Sequence, residues 1–162
     1  MKISILLPYK ENFASNYAGA VSLFVKDTIE NSKYFKNSYV FGHMPYNKPF
    51  LKNYVNIDLE KSLLKSNSKN YVANFLKKEK KIDSDIIEIH NRPNYIQYLK
   101  NLENKKLILY FHNDPLSMNG STSVEDRINL LNKIDKIFFN SKWSQERFFI
   151  GIDNKILLKQ KT

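Results

Sequence analysis

At 162 residues, 42% of them hydrophobic and 14% aromatic, the chain has the size and composition of one globular domain with a real core, and it is too short for two ordinary ones. It contains no cysteine, which excludes disulfides and thiolate metal sites. The formal net charge of +10 is almost all lysine, because arginine occurs only at Arg92, Arg127 and Arg147. That pattern favours a generic basic surface over bidentate nucleic-acid recognition, and it leaves peripheral contact with an anionic membrane open.

In chain order, Ile3–Leu7 is an apolar run closed by Pro8 and predicts a buried first strand. It is too short for a signal peptide, and no later stretch reaches the ~18 apolar residues of a membrane span, so a cytoplasmic protein is expected. A polar loop, Tyr9 to Tyr17, leads to Gly19. Val21, Phe24, Val25 and Ile29 then recur at helical spacing as far as Ser32. Tyr39-Val40-Phe41 predicts a second strand, and Phe50–Ile57 holds a weaker third. Ser68–Lys80 reads as a helix with Tyr71, Val72, Phe75 and Leu76 on one face; the Lys77–Lys81 cluster suits its C-terminus.

Ile86–Ile89 is the next strand, followed by a helix expected to start at Pro93 and to bury Tyr95, Tyr98, Leu99 and Leu102. Leu107–Phe111 is a strand, and Asp114–Thr122 is a loop. Ser123 with Asp126 has the form of a capping pair for a helix running to Lys133. Ile137-Phe138-Phe139 is a strand. Ser141 stands where it would cap a helix carrying Trp143, Phe148 and Phe149, and Ile156-Leu157-Leu158 begins a further element. Alternating strands and helices predict βαβ units: an α/β, Rossmann-like three-layer fold with a mostly parallel sheet, formed by residues 1–162 as one domain.

Two strands end alike. Ile86-Ile87-Glu88-Ile89 runs into His90-Asn91-Arg92-Pro93, and Leu107–Phe111 runs into His112-Asn113-Asp114-Pro115. In open α/β sheets the carboxyl edge of the strands is where ligands bind, and two of the three histidines stand there. His90, Asn91 and Arg92 combine a titratable ring, an amide and a fixed cation, a set suited to a hydroxylated anionic ligand. His112, Asn113 and Asp114 repeat it with an acid. Asp114 either orients the ring or accepts a hydroxyl proton, or it caps the following turn. Gly19 suits either close approach of a phosphate or sugar to a helix start, or a plain turn. Asp83-Ser84-Asp85 precedes a strand and so falls at the opposite sheet edge. There is no GxGxxG or P-loop, no nucleophile elbow and no HExxH.

Ile89-His90-Asn91-Arg92-Pro93, His112-Asn113-Asp114-Pro115 and Phe139-Asn140-Ser141-Lys142-Trp143, with the Gly19 loop, resemble the N-terminal domain of GT-B retaining glycosyltransferases. The likeness is to the family-four type of lipopolysaccharide and capsule assembly. The resemblance implies an acceptor-side domain of an enzyme that moves a sugar from a nucleotide-sugar to a surface-glycan or lipid-linked acceptor, peripheral to the inner membrane. It implies His112 as the catalytic residue facing the transferred sugar, with Gly19 near the donor diphosphate or sugar. His90, Asn91, Arg92, Asn113, Asp114, Ser141 and Lys142 would line the cleft. It further implies retention of configuration, no metal and no cofactor beyond the donor.

The departures are a missing second Rossmann unit and the lack of a pair of glutamates seven residues apart. The chain alone is therefore expected to be inactive, with a C-terminal donor domain as its missing partner. The competing reading is a stand-alone α/β module binding an anionic ligand or nucleic acid without catalysis. A flavodoxin-like signalling domain fits less well, for want of an acid cluster after the first strand.

Overall fold

The computed structural model describes residues 1–44, 48–59, 66–99, 102 and 104–153. Six strands form one sheet: β1 (Ile3–Leu6), β2 (Ser38–Gly42), β3 (Tyr54–Asn56), β4 (Ile86–His90), β5 (Lys106–Phe111) and β6 (Lys136–Phe139). Their order is β3-β2-β1-β4-β5-β6, and every neighbouring pair is parallel. The order reverses between β1 and β4, so chains leave these two strands in opposite directions and open a crevice at their carboxyl ends.

The α-helices among the described residues are α1 (Ala20–Glu30), α2 (Asn67–Ile82), α3 (Val124–Lys133) and α4 (Lys142–Phe149). Local chemistry starts three of them. Ser66 accepts from Lys69 N–H at α2, and Ser141 accepts from Ser144 N–H at α4. Ser123 and Asp126 form a reciprocal capping box at α3. α2 ends on Asp83 in the left-handed conformation.

Alternation along the strands builds a core on each face. Leu6, Ile87, Ile89, Leu109 and Phe111 pack with Tyr71 and Phe75 of α2, Leu130 of α3 and Phe148 of α4. On the other face Ile5, Leu7 and Val40 meet Val21, Val25 and Ile29 of α1. Beyond α1 this second face carries Glu88, His90, Tyr110 and Phe138, the residues from which the site is built.

The helix expected from Pro93 is instead a 3-10 turn over Pro93–Tyr98. Its bonds run over three residues, Tyr95 N to Arg92 O and Leu99 N to Ile96 O, and Leu99 is already extended. Pro93, Tyr95 and Ile96 are the buried residues, and Tyr95 is anchored by its hydroxyl, which accepts from Tyr9 N–H at 2.9 Å. The loop after β5 contains a further short 3-10 turn, Pro115–Ser117. The element expected at Ile156–Leu158 lies outside the described residues. Among those described, no helix is long and apolar enough to cross a membrane.

Candidate functional site

His90 closes β4, and His112 follows the last residue of β5, beside it in the sheet. Because Glu88, His90, Tyr110 and His112 occupy alternate positions, all four face α1. The two imidazoles meet: His90 Nδ1 lies 2.8 Å from His112 Nε2, with ring centroids 5.1 Å apart. On its other side His90 Nε2 is 2.6 Å from Glu88 Oε1. Tyr110, paired with His90 in the register, stacks on that ring at 4.9 Å and 3°. Phe24 of α1 stands edge-on to His112 at 4.9 Å, and Phe138 stacks on Tyr110 at 4.7 Å.

This arrangement corrects one expectation. His90 has no exposed surface and cannot line a cleft; α1, the sheet and Tyr110 enclose it. Its contact with the carboxyl edge runs through His112, which is partly exposed. Burial, and then the charge of His90, push the His112 imidazole down to about 4, with Glu88 opposing. His112 is thus a neutral ring at physiological pH.

Its backbone is clamped from both neighbouring strand ends. Asn91 takes the left-handed conformation (φ 55°), which an asparagine tolerates, and its Oδ1 accepts from His112 N–H at 3.2 Å. Asn140 Nδ2 donates to His112 O at 2.7 Å. The placement of His112 is therefore specified by polar contacts as well as by packing.

The remaining expected residues fall in other places. Asn91, Arg92 and Asn113 line a cleft of about 350 Å³ with Ser68, Asn94 and Asn119, towards the start of α2; neither histidine is in its lining. Arg92 donates to Asn91 O at 2.7 Å, and its charge acts on the buried phenols Tyr71 and Tyr95. Asp114 does not orient His112. Its carboxylate caps the Pro115–Ser117 turn through Leu116 N–H and forks with Arg147 at 3.2 and 2.8 Å. Arg147 holds that carboxyl below the usual range. Ser141 spends its hydroxyl on capping α4, and Lys142 is exposed beside Glu146 at 3.7 Å.

Gly19 caps α1, where a Cβ would run into the Glu11 carboxylate. Glu11 accepts from Ser22 N–H at 3.1 Å, so the chain's own acid occupies a helix start that suits an anion. Asp83, Ser84 and Asp85 stand before β4 at the far edge of the sheet, as their position in the sequence suggests.

Sequence reading missed Glu88, Tyr110, Phe24 and Glu11. Glu88 had a signal: an acid two residues before a histidine inside an apolar strand shares its face. Tyr110 needed the strand register, and Phe24 and Glu11 needed the tertiary fold.

Fold and site together define a class: a Rossmann-like, all-parallel α/β domain with a carboxylate–imidazole–imidazole chain, its middle ring buried, leading to the carboxyl edge beside its switch point. Sucrose-phosphate synthase from Thermosynechococcus elongatus shares the fold, with a TM-score of 0.65 over 94% of this chain at 10% sequence identity. The chain spans 46% of that protein's length, under half. No family model matches the sequence, and no curated protein matches it.

Proposed function

We propose that this chain is the acceptor-side part of a GT-B glycosyltransferase that moves a sugar from a nucleotide-sugar to a glycan or lipid-linked acceptor. One observation carries the reading. A neutral, half-buried imidazole, clamped by Asn91 and Asn140, stands at the carboxyl edge beside the switch point of a fold shared with under half of sucrose-phosphate synthase.

In this reading His112 presents an uncharged ring nitrogen to a sugar hydroxyl near the reacting carbon. Neutrality suits it to hydroxyl recognition, because a ring that stays uncharged adds no competing cation where a glycosyl cation develops. The amides of Asn91, Asn94, Asn113 and Asn119 in the adjoining cleft offer donors and acceptors in the mixture that vicinal hydroxyls need. Arg92, at the same cleft, supplies the fixed cation for an anionic group. Departure of the diphosphate would be assisted by cations and helix starts, chiefly in a donor half, and requires Glu11 to leave the start of α1. Chemistry needs both halves. The lysine-rich surface suits an anionic acceptor or membrane.

The test is a titration of the labelled 162-residue protein with UDP-glucose and other nucleotide-sugars, read by NMR. Perturbations at His112, Asn91 and Asn113 that survive added salt are expected. Binding of nucleic acid instead, weakening steeply as salt rises, would favour the non-catalytic module. Turnover by the 162-residue protein alone would overturn the need for a second half.

A further inference from the structure

Glu88 and His90 have no place in sugar contact, yet they form an unbroken hydrogen-bonded chain that reaches His112 from inside the protein. The contact distances are 2.6 Å and 2.8 Å. We propose that Glu88 and the fully buried His90 form a proton relay behind His112, which makes the outer ring nitrogen of His112 a hydrogen-bond acceptor when the pair is neutral and a donor once the pair has taken up one proton.

The argument is proton counting. An ionised carboxylate only accepts, so neutral His90 must carry its one ring proton on Nε2. His90 Nδ1 is then a lone pair, and the contact with His112 requires the proton of His112 Nε2. His112 Nδ1 is left bare. No described protein group bonds it, and the ring is partly open to solvent. Now add one proton at that nitrogen. An N–H bond forms at His112 Nδ1, the His112 Nε2–H bond breaks, and an N–H bond forms at His90 Nδ1. The charge comes to rest on His90 against Glu88, and His112 is again neutral with its tautomer reversed.

The surroundings favour this outcome. Among the described residues packed on the pair, Glu88 is the one acid in hydrogen-bond contact. Tyr110 presents a phenol kept neutral by burial and by Glu88, while α1 presents the uncharged Phe24. The charged residues of α1 nearest in sequence, Lys26, Asp27 and Glu30, pair among themselves. On β6, Lys136 lies over Phe138 at 5.1 Å, one ring further out. A proton entering at His112 is therefore paired with the Glu88 carboxylate when its charge rests on His90, and has no such partner on the His112 ring. That agrees with the depressed basicity of His112 itself. Glu88 and His90 are positioning residues: they set what His112 offers to a ligand without touching it.

The experiment is ¹⁵N NMR of the imidazole nitrogens in the 162-residue protein, from about pH 8 to about pH 5, with His43→Gln to remove the third histidine's signals. Near neutrality His112 is expected with Nε2 protonated and Nδ1 bare. On acidification His90 is expected to gain its second N–H as His112 reverses, both with one midpoint. In Glu88→Gln, nearly the same in size, uptake should require at least about tenfold more protons. Three results would each overturn the relay: His112 bare at Nε2 near neutrality, His112 becoming imidazolium while His90 stays neutral, or an unmoved midpoint in Glu88→Gln. The use of the relay rests on the sugar-transfer reading, but its existence does not. If the tautomer reverses while UDP-glucose leaves His112 unperturbed, the transfer reading falls and the relay stands.

Discussion

Two glutamates, Glu79 buried in α2 and Glu88 partly exposed in β4, are held by different kinds of partner. Glu79, near the end of α2 and 2% exposed, accepts from Ser84 N–H at 2.9 Å and from Ser84 Oγ at 2.6 Å, with Lys105 Nζ 3.4 Å away. Glu88 is bonded to a ring that carries a movable proton and leads to the surface. A carboxylate met by fixed donors ties α2 to the strands it precedes. One met by an imidazole chain can respond to protons and ligands. The same residue type serves as a staple in one place and a switch component in the other, and the partner decides which.

Removing each acid breaks the comparison most directly. Glu79→Ala should cost about 2–3 kcal/mol in urea unfolding, because the buried Ser84 N–H and hydroxyl are left without their acceptor, while Lys105 keeps Asp83 and Ser84 O. Glu88→Gln should cost under about 1 kcal/mol, since the amide can still bond His90, while the ring spectra change. Equal stability losses would erase the distinction.

Acid should next weaken the fold through His112. The unfolded ring gains a proton below about 6.5, whereas the folded ring resists until about 4. The unfolded state therefore binds more protons between those values, and stability falls as pH drops through that window. Partial exposure of the ring limits the loss to about 1–2 kcal/mol. His112→Gln should flatten this part of a pH series of melting curves; an unchanged slope would place the acid sensitivity elsewhere.

Arg92→Ala should reduce sugar transfer in a chain carrying both halves, with a melting loss under about 1 kcal/mol, because the guanidinium bonds its neighbour's carbonyl and acts on Tyr95 from a partly exposed position. Unchanged kinetics would make Arg92 a bystander. The smallest effect is expected at the start of α1. Glu11→Ala frees Ser22 N–H and should tighten diphosphate binding by a few-fold. Weaker binding in that variant would mean that Glu11 helps to hold the ligand.

How much of this was written in the amino-acid order depends on range. The alternation of strands and helices, the capping of α3 by Ser123 with Asp126 and of α4 by Ser141, and the placing of His90 and His112 at strand ends follow from contacts within a few residues. Periodicity and turn chemistry report such contacts directly. The short turn at Pro93–Tyr98 escaped because its apolar spacing also fits a helix; the Tyr95–Tyr9 contact, across 86 residues, holds the tighter turn.

The site depended on the fold. That β4 lies beside β5, that the two imidazoles touch across 22 residues of sequence, that His90 is enclosed, and that Glu11 fills the space over Gly19 are consequences of strand order and register. The amino-acid order by itself determined which groups reach the carboxyl edge, since alternation along a strand is local. Tertiary structure alone decided which of them meet, because adjacency between strands is set by the burial of whole faces and by no residue's immediate neighbours.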